Sequence, residues 1–170
     1  MGIANKQLKN FNLFVDGRGK AGNIEDLTIP KLSIKTEDFR AGGMDSSIAI
    51  DMGMEKLELS FTLTEFDLDV LKLWGLIQNA SKQFTIRGAL ESLDGSVDAL
   101  VINAAGTVKE IDFSAFKAGD KATLKITVDL RTYRYEQAGQ EIYNIDIQNM
   151  VRTINGVDQL QARRQAIGVN

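Results

Sequence analysis

The segment Leu57-Glu58-Leu59-Ser60-Phe61-Thr62-Leu63-Thr64 puts an apolar side chain at every odd position and a polar one at every even position. Successive side chains of a β-strand point to opposite faces, so this period of two specifies a strand with one dry and one wet face. The same alternation recurs at Leu32-Ser33-Ile34-Lys35, at Phe84-Thr85-Ile86-Arg87, from Leu124 to Leu130, and more loosely from Ile142 to Val151. Between residues 97 and 111 both alternating sets are apolar or small, which suits a strand covered on both faces, central in a sheet or at an interface. The chain is therefore mainly β.

Two segments break the period. From Asp67 to Gln78, Val70, Leu73, Trp74 and Ile77 fall at the spacing of one helical stripe. Thr64-Glu65-Phe66-Asp67 reads as a capping box before it. A shorter helix is expected at the end, with Asp158 as N-cap, Leu160, Ala162 and Ile167 as apolar positions, Arg163 and Arg164 in its later turns and Gly168 as terminator. About seven strands and two helices suit a sandwich of two antiparallel sheets with one amphipathic helix. Only one proline and no fixed-period repeat occur, so residues 1–170 are expected to form a single domain. Its strands carry little edge protection, so their edges are either covered or meant for pairing.

Composition removes most chemistry. The chain has no cysteine and no histidine, which excludes disulfides, thiolate nucleophiles, imidazole bases and nearly all transition-metal sites. No cofactor or metal is expected. Twenty basic residues against 23 acidic ones give a net charge of -3, unlike a domain that grips phosphates. The first seven residues show no apolar leader, and the longest aliphatic run, Ala99-Leu100-Val101-Ile102, is too short to cross a bilayer, so no stable membrane association is expected.

Several motifs have competing readings. Gly17-Arg18-Gly19-Lys20-Ala21-Gly22 satisfies the dinucleotide-binding pattern, but no helical stripe follows and Pro30 is close, so a glycine-rich hairpin turn is expected. From Thr36 to Val70 nine acidic residues face two basic ones. They suit solvated strand faces and caps, a surface that repels something, or, less simply, a paired-carboxylate hydrolase or calcium site. Residues 41 to 54, bounded by glycines, hold three of the five methionines. They form either a loop tucked over the chain's own core or a long loop reaching a neighbouring subunit. Asn79-Ala80-Ser81 matches a glycosylation sequon by chance, and Tyr133 and Tyr135, two apart on one face, are expected to pack.

Read in order, several short segments resemble the major tail tube proteins of contractile-tailed bacteriophages and the related tubes of R-type pyocin-like bacteriocins. They include Asn12-Leu13-Phe14-Val15-Asp16-Gly17, Phe39-Arg40-Ala41-Gly42-Gly43-Met44-Asp45, Ile50-Asp51-Met52-Gly53-Met54-Glu55, Val108-Lys109-Glu110-Ile111-Asp112, Asn155-Gly156-Val157-Asp158-Gln159-Leu160 and Arg164-Gln165-Ala166-Ile167-Gly168. The resemblance implies a non-enzymatic structural subunit, assembled in the bacterial host cytoplasm into stacked homohexameric rings inside a contractile sheath. Each subunit would donate strands to an inner β-barrel, so that no lateral edge stays free. Sheath, baseplate and tail terminator proteins are the implied partners. Through the bore, DNA would pass without specific binding, or the tube would serve a bacteriocin as a puncturing needle. A type VI secretion tube protein is the related alternative.

On this reading Ser33, Lys35, Glu58, Ser60, Thr62 and Thr64 are expected to face the lumen, Ser33 and Lys35 from a strand beside the most regular one. The resemblance also implies that Arg40, Gly42, Gly43, Met44, Ile48, Ile50, Met52 and Met54 contact adjacent subunits within and between rings.

Overall fold

The regular strand forms as its alternation requires: Leu57, Leu59, Phe61 and Leu63 are fully buried while the intervening positions reach solvent. The computed structural model describes residues 5–75 and 80–169. Its strands are β1 (Gln7–Val15), β2 (Arg18–Gly19), β3 (Ile24–Thr28), β4 (Ile34–Phe39), β5 (Ile48–Met54), β6 (Glu58–Leu63), β7 (Lys82–Glu91), β8 (Val97–Phe113), β9 (Leu124–Gln137), β10 (Gln140–Asp146), β11 (Val151–Ile154) and β12 (Val157–Asp158). Two short helices, α1 (Leu68–Leu71) and α2 (Gln161–Ala166), complete the described fold.

Every pairing is antiparallel. Ten strands form one sheet in the order β12-β11-β10-β9-β8-β7-β1-β2, and β6 and β3 branch from β9; β4 and β5 form a separate two-stranded sheet. The branch exists because β9 changes partner along its length. Residues 124–129 pair with β6, residues 132–137 and 140–146 pair as β9 and β10, and β8 runs along the other side of β9 throughout. At the change of partner the register slips, from Ala105↔Thr132 to Gly106↔Leu130. Such a bulge bends and twists a sheet. The sheet curls until Phe61 on β6 meets Phe84 on β7, ring centroids 6.1 Å apart, although two strands separate them in the ladder. The two layers of the expected sandwich are thus the two arms of one sheet, and the second antiparallel sheet is the hairpin β4–β5.

The core fills the fold between the arms, with Leu13, Phe61, Phe84, Ile102, Ile126 and Tyr133 among its most buried members. Burial drives the Tyr133 phenol well above its ordinary titration range. Tyr135 stacks edge-on with Tyr143, so the two tyrosines of β9 pack, as their spacing suggested. The long β8 is central as expected, but only Ile102, Ala104, Gly106 and Val108 on one face are buried; the other face is half-covered.

The expected helix from 67 to 78 is shorter. Asp67 is its N-cap, accepting from the backbone N–H groups of Asp69 and Val70, in place of a box starting at Thr64, and Thr64, just past β6, instead donates its N–H to the Asn23 carbonyl. The helix ends at Lys72, and Gly75 takes a left-handed φ of 78°. Val70 and Leu73 pack on the core, whereas Trp74 turns outward and donates Nε1–H to the Lys109 carbonyl at 3.1 Å. Ile77, Gln78 and Asn79 lie outside the described residues. The final helix matches expectation in its arginines and in Gly168, at φ 75°, but its N-cap is Leu160, with no side-chain cap bond. Asp158 instead accepts from the Leu160 N–H at 3.0 Å and from Arg164 at 2.6 Å.

Candidate assembly surfaces

The glycine-rich segment is a hairpin turn. Asp16 and Gly17, at φ 50° and 82°, join Val15 to Arg18, the two-residue connection whose twist matches antiparallel strands. Beyond it Lys20 is buried against Asp67, and Arg18 reaches Asp69 at 2.6 Å. The residues of the apparent nucleotide motif therefore fasten this turn to α1. Two further carboxylates of 36–70 are held in the same way: Asp51 pairs with Arg152 at 3.1 Å and Glu58 with Lys109 at 2.8 Å. Among the described residues no group of three acidic side chains converges as a metal site.

The first surface is the outer face of β3-β6-β9-β8. Cα partners across a ladder share a face, so Ser60 lies between Thr28 and Thr127, and Thr62 between Asp26 and Lys125. Glu58 sits beside Asp129, which accepts from Lys56 at 3.0 Å. The Lys109 ammonium holds the Glu58 carboxyl below its usual range and is itself raised by it. With Glu110 and Asp112 opposite Thr127 and Lys125 on β8, the face is polar throughout and acidic in balance. Among the described residues no strand pairs with the outer edge of β3, and past Gly106 none pairs with the β7 side of β8. This arm is a four-stranded ribbon with two bare edges.

Glu58, Ser60 and Thr62 thus share one face as expected. Thr64 lies just past the strand end, its hydroxyl donating to the Asn23 carbonyl at 3.2 Å. Ser33 and Lys35 do not join them. The neighbours of β6 are β3 and β9, while Lys35 lies on β4 and Ser33 precedes it, its carbonyl taking the Glu55 N–H. The reason is that residues 29–54 leave the sheet as an insertion between β3 and β6.

That insertion is the second surface, and it is a strand hairpin where the sequence reading expected a loop from 41 to 54. Phe39 pairs with Ile48, and Glu37 with Ile50. Asp51 turns to the body, where Arg152 from β11 grips it; its carboxyl is held below the usual range first by the Gly53 N–H at 2.7 Å and then by this arginine. By alternation Ile48, Ile50 and Met52 project away from the body, and all three are exposed with Phe39. Of the other expected contact residues, Arg40 and Met44 shape the tip: Arg40 Nε–H donates to the Met44 carbonyl at 3.2 Å, with Gly42 between them and Gly43 at φ 90°. Met54, at the base, packs against the core.

Sequence reasoning missed a third cluster, Phe66, Phe113 and Phe116, in edge-to-face contact at 5.9 and 5.8 Å between centroids and exposed. No periodicity links residues so placed, so no sequence signal marks them. Among the described residues the chain thus presents a polar ribbon with open edges and a projecting apolar arm, and comparison with known proteins identifies its family. The model of the family described as phage tail tube protein FII matches residues 5–168.

The chain belongs to this phage tail tube family.

It is 31% identical over 168 residues to the tail tube protein of Escherichia phage P2, covering 96% of this chain and 98% of that protein. It is also 28% identical over 159 residues to the major tail tube protein of Serratia phage KSP20, covering 89% and 88%. Among solved structures it resembles a chain of the sheath–tube complex of an extracellular contractile injection system, PVC, in its extended state. That likeness has a TM-score of 0.57 at 16% identity, covering 75% of this chain and 88% of the other, and it speaks to fold alone. The protein is a structural tail tube subunit of the phage kind.

Proposed function

We propose that residues 1–170 act as one tube domain, that six copies close into a ring through the bare edges of β3 and β8, and that rings stack into a conduit lined by the outer face of the β3-β6-β9-β8 ribbon. The observation carrying this reading is the pairing of a polar face with two unpaired edges on one four-stranded arm. A ribbon joined edge to edge loses both edges at once, and its buried face already belongs to the subunit's own core. With strands about 4.8 Å apart and tilted about 40°, four strands from each of six copies enclose a backbone diameter of roughly 50 Å, wide enough for a DNA duplex.

The lining chemistry suits passage. Duplex DNA carries about one negative charge per 1.7 Å of axis, so a basic wall would hold it through counterion release. Glu58, Ser60, Thr62 and Asp129 offer it no net attraction, and Lys56 and Lys109 are engaged by carboxylates. In a particle without a genome the same tube would serve as a driven needle. The tube would sit inside a sheath, as in the PVC sheath–tube complex, with a baseplate and a terminator at its ends. It would be made in the host cytoplasm and carried in the virion tail or bacteriocin particle.

The test uses the absence of native cysteine. Ser60→Cys subunits are assembled, imaged by negative stain, and treated with a small maleimide or one too bulky to enter a bore. Tubes labelled only by the small reagent support the reading. Equal labelling by both, or a purified chain that stays monomeric when seeded with tail baseplates, refutes it.

A further inference from the structure

Among the described residues the β4–β5 hairpin shares no ladder with the main sheet. A lone two-stranded hairpin is marginal in water, so its order depends on what holds it to the body. Apolar packing does so loosely: a cavity of about 150 Å3 remains where Leu32, Ile34 and Met54 at the hairpin root face Tyr143, Ile145 and Ile154. The Arg152 side chain also lines this cavity. Arg152 is 8% exposed, donates from Nη2 to Asp51 at 3.1 Å, and has an Nε with no partner among the described residues. A buried cation repays its desolvation only in good geometry, so the strength of this grip depends on where the arginine is placed.

That placement is fastened from α2. Arg152 lies on β11, whose outer neighbour is only the two-residue β12. Arg164 spans the open end of this strand pair, donating from Nη1 to the Met150 carbonyl at 2.7 Å and from Nη2 to the Asp158 carboxylate at 2.6 Å. Met150, just before β11, is held at φ 53°, and the Gln159 N–H, just after β12, reaches the Arg152 carbonyl at 2.8 Å. Arg163, on the same helix, is near enough for its charge to lower the Asp51 carboxyl further. None of the six residues of α2 is buried, and so short a helix does not persist unaided, so it adds little to the core.

We propose that α2 fastens the hairpin to the body: Arg164 fixes the β11–β12 edge, that edge places Arg152, and Arg152 holds β5 by Asp51. Arg164 and Arg152 are thus positioning residues for the projecting arm, whose attachment is governed from the far end of the sequence. The fastening acts within a single subunit, so it goes beyond the tube reading and does not depend on it.

Hydrogen exchange read by mass spectrometry, on the full chain diluted until sedimentation shows a monomer, follows each segment separately. Arg164→Ala is expected to speed exchange in residues 34–39 and 48–54 by about tenfold or more, while β6 to β9 keep their protection. Asp51→Asn should do the same. The two together should exceed Asp51→Asn alone by little, because both cut one series of contacts. Circular dichroism checks folding, and Arg164→Lys, which keeps the charge but loses the planar fork that spans two acceptors, replaces the alanine if that variant does not fold. Faster exchange confined to α2 overturns the proposal, since the helix then has no hold on the hairpin. Effects of Arg164→Ala and Asp51→Asn that simply add overturn it as well, because the two residues then act separately. An equal rise over every strand would mark general loss of stability and would also overturn it. A chain that passes this test yet never forms rings counts against the tube reading alone.

Discussion

Adding one methyl group at Gly106 tests the bend on which the ribbon depends. A Cβ there would stand 2.1 Å from the Asp129 carbonyl oxygen, 2.8 Å from its carbonyl carbon and 2.9 Å from the Leu130 Cα. All three obstacles are backbone, so no rotamer change relieves them. Ordinary contact needs a separation greater by about 1 Å, which costs two or three ladder hydrogen bonds at about 1 kcal/mol each and loosens the core beneath. Gly106→Ala is therefore expected to destabilise the fold by ~3–5 kcal/mol, the range of severe core changes. For a chain of this length that lowers the melting temperature by roughly 6–20 °C. The melt is followed by far-ultraviolet circular dichroism in an Ile50→Asp background, so that assembly does not add its own stability. Gly42→Ala is the control: no atom lies within 4 Å and its φ is unremarkable, so it should shift stability by less than about 0.5 kcal/mol. A Gly106→Ala midpoint within about 2 °C of the parent would refute the close approach of β8 and β9, and with it the account of how the sheet turns.

Other expectations follow from the same geometry. Met52→Asp should fold normally yet hinder tube growth, because assembly would desolvate a charge on the hairpin's outward face; Met44→Asp should do likewise from the tip, and normal tubes by negative stain would contradict both. Phe61→Ala should cost ~3–5 kcal/mol in a denaturant titration, since the ring is fully buried against Phe84. Asp51 titrates below its unfolded value, so its contribution is complete above the ordinary carboxylate range and fades as pH falls through the depressed value; Asp51→Asn should remove it at neutral pH and expose the hairpin to limited proteolysis. Paired lysines at Ser60 and Thr62 should leave folding intact but make tubes retain DNA at low salt and release it at high salt, read by co-sedimentation.

The face of β6 could be read from Leu57 to Thr64 because burial of one strand face writes its period into the sequence directly. The hairpin was half legible. Ile48, Ile50 and Met52 carry the alternation, but Ala49 between them and Gly53 after them blur its polar half, and the charged β4 looks like solvated loop. Asp67-to-Gln78 misleads because spacing reports which residues face inward, not where a helix stops; the helix ends at Lys72, and beyond it Trp74 turns outward to the Lys109 carbonyl on a distant strand. Contacts such as Asp51 with Arg152, 101 residues apart, leave no local trace. Alternation marks Ser33 and Lys35 as strand residues but does not say which strand lies beside them, and their strand pairs with β5 and not with β6.

One strand serves both arms of the folded sheet. Through residues 124–129 β9 belongs to the arm that holds β6 and β3, and through 132–137 to the arm that holds β10, while the 17-residue β8 runs beside it along the whole length. In the proposed tube, thrust applied when a sheath shortens would travel from one arm of each subunit to the other along covalent main chain. Because the same two strands run on through both arms, the arms stay covalently tethered at the bend even where the side-chain packing between them, such as Phe61 on Phe84, is lost.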